Sequence, residues 1–435
     1  MFNQLIEKEI ENSTTGLSDL NNEIFGSSYM RKIYFKRLAR DFRSLYYLLK
    51  HFKMKEFFDF FYTKTLVPTG EGSQALFYRL GLSRLIQKYP DRVPLPRFFE
   101  METTTVCNKR CFICEYIYWP EGEQIKRHMS IEEFKHVIGQ FPVIRWANLT
   151  GEGSSFLNKD YTLMLKYLWE KHRTSIWLVD HLSDVTIETL EEKVFPYIHG
   201  LYVSMDAATK QTYESIKIGC KFENVVNNLK SITEYKRRKW TPFPHLSFRY
   251  VILKENMHEM ALFLDLLNSI AKPSEWGGSS SYVEFTGLLY FPEIYPHYVS
   301  EIPRHIIDGL LKRRGGVEFL FSHAEELRNP PIECCNAWME PYIMMPGYVL
   351  PCCAVLMSNR RPFLRKYSFG NVFEKDFKEI WRNEYYSRFR RMIVDPCAPV
   401  PKICVGCRAY RTQHRIKEYG IWDVHEQMDH KQCGS

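Results

Sequence analysis

From residue 98 onward the chain alternates short apolar runs with longer segments of helical periodicity. Phe98–Thr103, Trp146–Thr150, Ser175–Val179, Gly200–Ser204, Leu246–Leu253 and Tyr282–Phe285 read as strands. Helix-like stretches separate them. One is Ser130–Gln140, which opens on Ser130 with Glu133 three residues later, the signature of a capping box. Repeated strand–helix units imply a parallel sheet with helices outside it. Six such units predict an α/β fold, a partial (β/α)6 barrel. No internal repeat or long low-complexity segment interrupts the pattern, and Gly277–Ser281 reads as a short flexible loop.

The two flanks differ from this middle. Residues 1–95 contain no cysteine and read as helical, with Pro94 and Pro96 closing them off. The barrel is expected over 96–310, and a small cysteine-rich domain over 311–435. Within the first flank, Arg31, Lys32, Lys36, Arg37, Arg40, Arg43, Lys50, Lys53 and Lys55 face only Asp41 as an opposing charge. Met30, Tyr34, Leu38, Leu45, Leu49 and Phe52 fall on one helical stripe. This basic amphipathic segment is expected either to pack on the barrel or to touch an anionic membrane surface.

At 435 residues with 45% hydrophobic residues, the chain is long enough for two or three domains. A net charge of +8 is mild for this length and gives no argument for nucleic acid. No apolar run is long enough to span a bilayer, and the polar start MFNQLIEKEIEN does not read as a secretory signal, so a cytoplasmic location is expected. Of the 12 cysteines, three lie close together near residue 110 and most of the others follow residue 333. Tight local groups of this kind suggest metal ligation rather than a disulfide scaffold.

The strongest motif is TTTVCNKRCFICEY, which spaces Cys107, Cys111 and Cys114 as C-x3-C-x2-C just after a predicted strand. Thiolates are the usual ligands of iron–sulfur clusters, and three of them leave one iron of a cubane open. A zinc site or three buried thiols are the alternatives. In its spacing and position this loop resembles the cluster loop of the radical S-adenosylmethionine (SAM) superfamily. The resemblance implies that SAM binds the open iron, is cleaved reductively, and yields a radical that abstracts hydrogen from a substrate.

The same resemblance assigns later residues. Gly151, Glu152, Gly153 and Ser154, in LTGEGSSFLNKD, correspond to the glycine-rich loop that meets the amino group of SAM. The register departs from the family's G-x-G-E-P: Ser154 stands where an acid is usual. Ser204 and Asp206, in LYVSMDAATK, correspond to the end of the fourth strand. Ser204 is a contact to SAM, and Asp206 is either another or a helix N-cap. Arg249 is read as a partner of the SAM carboxylate or as half of a salt bridge. Ile113, before the last cysteine, takes the place of an aromatic residue and packs on adenine. Cys220 is read as a buried apolar thiol.

The last region resembles the SPASM or twitch auxiliary-cluster domain. It contains a cysteine pair, Trp338, a G-x4-C step from Gly347 to Cys352, and CAPVPKICVGC with Cys404 and Cys407. The resemblance implies one auxiliary [4Fe–4S] cluster on Cys334, Cys352, Cys404 and Cys407, with structural zinc as the alternative. Cys334 is preferred to Cys335, and Cys335, Cys353, Cys397 and Cys433 are left over. The implied function is a radical SAM oxidoreductase that draws electrons from a flavodoxin or ferredoxin. Its substrate is a small molecule (a sugar, aminocyclitol or lipid precursor) or, alternatively, a ribosomally made peptide. A metal-binding scaffold without catalysis is the remaining reading.

Overall fold

The computed structural model describes residues 93–423 apart from 242, 277–281, 288–291, 300, 323–335, 358, 396 and 406–411, together with scattered positions between 35 and 57. The sheet opens with β1 (Phe98–Met101), β2 (Trp146–Asn148), β3 (Ser175–Asp180), β4 (Gly200–Ser204), β5 (His245–Val251) and β6 (Val283–Thr286). All six expected strands are present, each within three residues of its expected bounds. They run in chain order and pair in parallel, with Phe98 opposite Trp146, Trp177 opposite Gly200, and Ser204 opposite Arg249.

The sheet also contains strands that short apolar runs did not reveal. β7 (Phe319–Ser322) adds in parallel to β6, so the sheet runs on past residue 310. At the other edge, β8 (Tyr342–Met344) pairs in parallel with β1, and β9 (Tyr348–Leu350) returns antiparallel to it. Three or four residues carry too little periodicity to be told from a loop. The C-terminal region is therefore built onto the barrel sheet itself. Gly347 turns the β8–β9 hairpin with φ +95°, and a Cβ there would lie 2.5 Å from Asn371 Oδ1. The G-x4-C step thus begins at this turn.

Helices cover the outer face. The main ones are α1 (Ile131–Gly139), α2 (Tyr161–His172), α3 (Lys210–Ile216), α4 (Phe222–Lys239), α5 (Met260–Ile270), α6 (Arg304–Lys312), α7 (Arg361–Lys366) and α8 (Glu384–Val394). The capping box of α1 is formed: the Ser130 side chain accepts from Glu133 N–H, and the Glu133 carboxylate accepts from Ser130 N–H. Outward strand residues such as Phe99, Leu178, Val203 and Phe248 are buried, as are Phe134, Leu165, Leu229 and Phe263 of the helices. Each such side chain contributes roughly 1.5–3 kcal/mol.

The inner face behaves differently. In β1, β2 and β3 the residues alternate between buried and half-exposed, and the half-exposed ones include Glu100, Asn148 and Trp177. Successive strand residues point to opposite faces, so this alternation marks a barrel interior that is not filled by aliphatic side chains.

Candidate active site

Thr104 to Cys114 leave β1 as a loop that is pinned at both ends. Its threonines bond back to the 125–128 segment: Thr105 Oγ1 donates to Ile125 O at 2.6 Å, and Thr105 N–H to Arg127 O at 3.0 Å. On the other side Arg110 N–H and Phe112 N–H donate to Ile218 O and Ile216 O. Lys109 Nζ reaches Asp184 Oδ1 at 2.6 Å and Gly219 O at 2.9 Å. The result presents Cys107, Cys111 and Cys114 from one short loop, each half-exposed. Lys109 N–H donates to Cys107 Sγ at 3.4 Å. Three thiols on one loop, one of them already accepting an amide N–H, form a donor set suited to an iron–sulfur cubane.

Their electrostatics differ. Burial pushes the Cys114 thiol up, with the Glu115 and Glu152 carboxyls adding to the effect. Cys111 is held down at about 7, chiefly by a hydrogen bond with the Cys220 thiol, helped by Lys217. Cys220 is buried as expected, but it does more than pack, because it touches a cysteine of the loop. Nothing in its sequence surroundings marks that contact.

The loop after β2 lies against the first one. Ser154 N–H donates to Val106 O at 2.9 Å. The glycines here have a reason other than ligand approach. A Cβ on Gly151 would lie 2.3 Å from Glu102 Cγ, and one on Gly153 would lie 2.4 Å from Thr104 O. Their missing side chains make room for the chain's own β1 loop. Glu152 is 6% exposed; Oε2 lies 2.6 Å from Arg361 Nη2, Oε1 is buried and reached by no N–H donor, and the carboxyl shares a hydrogen bond with that of Glu115. Burial pushes its carboxyl well above the usual range, and the neighbouring Glu115 and Glu102 add to this against the pull of Arg361.

Ser204 closes β4 and accepts from Lys217 Nζ at 2.9 Å. Asp206 is not the N-cap of the next helix, which Thr209 caps. Its fully buried carboxylate accepts from Val251 N–H at 2.7 Å and pairs with Lys217 at 2.9 Å. The chain itself thus uses a residue expected to contact SAM. Lys217, absent from the expected set, is the cation at this end of β4. Ile113 packs in a small apolar cluster with Ile216, Leu253 and Ile294 rather than standing alone. Arg249 donates from Nε to Glu284 Oε2 at 3.0 Å and lies over the Tyr202 ring at 4.9 Å. Its side chain keeps 42% of its exposure inside the barrel.

Comparison with known proteins bears on this arrangement. Residues 334–408 match the SPASM iron–sulfur cluster-binding domain. The fold is similar to Streptococcus suis SuiB bound to S-adenosylmethionine, with a TM-score of 0.55 and 14% identity, covering 87% of this chain and 88% of the other. The chain thus carries a SPASM iron–sulfur domain and shares the fold of SuiB. SuiB bound to its precursor peptide SuiA is also similar, with a TM-score of 0.52 and 13% identity, covering 82% of this chain and 81% of that one. A curated relative is the tungsten-containing aldehyde ferredoxin oxidoreductase cofactor-modifying protein of Pyrococcus furiosus. It is 23% identical over 317 residues, which span 68% of this chain and 83% of the relative.

In the SPASM region, Cys352 follows the β8–β9 hairpin and Cys404 ends the segment after α8; both are buried. Cys334 and Cys407 lie outside the described residues. Cys353 is half-exposed beside Glu100, which raises its thiol after burial does. The basic cluster of Arg31–Lys55 falls almost wholly outside the described residues. Among those described, no helix is long and apolar enough to cross a membrane.

Proposed function

We propose that this protein is a radical SAM enzyme and that it catalyses a net two-electron oxidation of a small polar molecule held in the barrel interior. Cys107, Cys111 and Cys114 would hold the catalytic cluster. Cys352 and Cys404, with Cys334 and Cys407, would hold an auxiliary one. When bound, the cluster and SAM supply a 5′-deoxyadenosyl radical that takes hydrogen from an unactivated C–H bond. The protein's part is to bind, orient and shield. Glu152 Oε1, buried and reached by no N–H donor, suits the ammonium group of SAM, with Gly151, Gly153 and Ser154 shaping the loop around it. Ser204 with Lys217 suits its carboxylate.

The observation that carries the substrate reading is the open interior. Glu100, Asn148, Trp177, Tyr202 and Arg249 all face it and all retain exposure. Hydrogen-bonding groups and aromatic walls in an enclosed space favour a compact hydroxylated or amine-bearing molecule. The relative named as a cofactor-modifying protein is in keeping with this. A peptide substrate is the second reading, supported by the likeness to SuiB in complex with its precursor peptide. A flavodoxin or ferredoxin is the proposed electron donor.

The test uses anaerobically reconstituted full-length protein. It should carry about eight irons per chain, in two four-iron clusters. Replacing Cys107, Cys111 and Cys114 with Ala should remove about half the iron and all SAM cleavage. Small metabolites passed through a low-cutoff filter should stimulate 5′-deoxyadenosine release above the uncoupled rate. Colourless protein with stoichiometric zinc overturns the cluster assignment. Stimulation confined to the peptide fraction overturns the small-molecule reading.

A further inference from the structure

One residue of the SPASM domain reaches the SAM end of the barrel. Arg361 opens α7 and lies within the matched residues 334–408. Its guanidinium is 1% exposed and spans two barrel carboxylates. Nη1 and Nη2 donate to Oε2 and Oε1 of Glu102 at 2.7 and 2.6 Å, a bidentate fork. Nε donates to Glu152 Oε2 at 3.1 Å, and Nη2 lies 2.6 Å from the same oxygen. The guanidinium also lies over the Trp119 ring, at 5.1 Å.

Glu102 passes this constraint on. It accepts Glu152 N–H at Oε1 and Met345 N–H at Oε2, both at 3.0 Å. Its Cγ fills the space a Cβ at Gly151 would need. The main chain at Glu152, the side chain of Glu152 and the β8–β9 turn thus all hang on one guanidinium–carboxylate pair. Glu152 Oε1 is the atom left over by this network: it is buried and reached by no N–H donor, and the remaining neighbour of its carboxyl is that of Glu115, with which it shares a hydrogen bond. With Oε2 held, the orientation of Oε1 is set.

We infer that Arg361 is a positioning residue for SAM: it fixes the Glu152 carboxyl, whose Oε1 no N–H donor of the chain reaches, so the barrel presents its cation-binding atom only when the SPASM domain is seated. The inference rests on the reading that Glu152 receives the SAM ammonium group. A planar fork holds both carboxylates at once in fixed geometry, whereas a lysine ammonium keeps the charge but loses the bidentate contact.

The experiment compares wild type with Arg361→Met, Arg361→Lys, Glu102→Gln and Glu152→Gln, all reconstituted full-length without oxygen. Three quantities are read: iron per chain, SAM Kd by equilibrium dialysis, and KM against kcat for uncoupled SAM cleavage. Arg361→Met should keep wild-type iron while SAM Kd and KM rise by about tenfold or more, with kcat at saturating SAM changing less. Arg361→Lys should recover part of the affinity. Wild-type affinity in Arg361→Met, with Glu152→Gln impaired, overturns the inference and leaves the reading of Glu152 standing. Wild-type affinity in Glu152→Gln overturns that reading instead. Loss of iron and kcat together with affinity reduces Arg361 to a folding role and also overturns the inference. Should Arg361→Met not fold, Glu102→Gln carries the test, since it keeps the shape and loses the charge; unchanged SAM affinity there overturns the inference.

Discussion

Two arginine–glutamate pairs in this barrel have the same chemistry and opposite surroundings. Arg361 with Glu102 and Glu152 is sealed, at 1%, 0% and 6% exposure. Arg249 with Glu284 opens onto the interior, the arginine keeping 42%. The sealed set joins two domains and leaves one oxygen that no N–H donor reaches. The open pair leaves a guanidinium edge facing space where a substrate can lie. Solvent access, not residue type, separates a clamp from a binding group. In the sealed set, removing one partner strands a desolvated charge. In the open pair the arginine is solvated, and its loss leaves only the Glu284 carboxylate, 8% exposed, short of a partner.

The contrast is broken most directly at Arg361. Arg361→Met should lower the stability of the apo chain by about 3–5 kcal/mol, because it leaves buried carboxylates uncompensated. Arg249→Met should cost less, about 1–3 kcal/mol, because only Glu284 is left without its cation. Denaturant unfolding of both variants checks this, and equal losses would show that the two pairs do the same job. Pairing Arg361→Met with Glu102→Gln should recover part of the loss, since the stranded charge goes too.

A smaller effect is expected on function at the open pair. Arg249→Gln should raise the substrate KM about tenfold, about 1.4 kcal/mol, with iron content unchanged. Steady-state assay with the stimulating metabolite fraction reads it. A shift confined to SAM KM would move Arg249 from the substrate to the SAM carboxylate.

The smallest effect is a pH slope. Burial, with the charge of Glu100, pushes the Glu340 carboxyl up to about 8. The folded chain therefore keeps a proton there that the unfolded chain gives up near its ordinary carboxyl pKa. Between about pH 4.5 and 8 the folded state binds more protons, so this group makes stability fall as pH rises. Glu340→Gln should flatten that part of a melting-temperature profile. A slope identical to wild type would show that Glu340 titrates normally.

Much of the fold was legible because parallel strands buried on one face announce themselves locally. Each expected strand from Phe98 to Phe285 was found, and the Ser130–Glu133 box starts its helix as read. The cysteine loop was legible for the same reason: three ligands within eight positions need no tertiary information to be close. The partners of Asp206 were not legible, because only folding brings Val251 and Lys217 to it; its N-cap alternative falls to Thr209. Lys217 was overlooked because a lysine in a helical, charged stretch looks like any solvated one. β7 and β8 were missed because runs of three or four residues carry no period.

The sequence by itself determined the strand–helix alternation, the three-cysteine loop and the cysteine-rich C-terminal region, since each is written in spacings of a few residues. Only the tertiary structure decided which carboxylates meet which cations. Glu102 and Arg361 are 259 residues apart and meet at 2.6 Å. Periodicity reports which face a residue takes, but it says nothing of the partner on another element. That partner is settled when the sheet closes around β1 and the SPASM domain packs against it, where a buried charge without an opposite one would be too costly to keep.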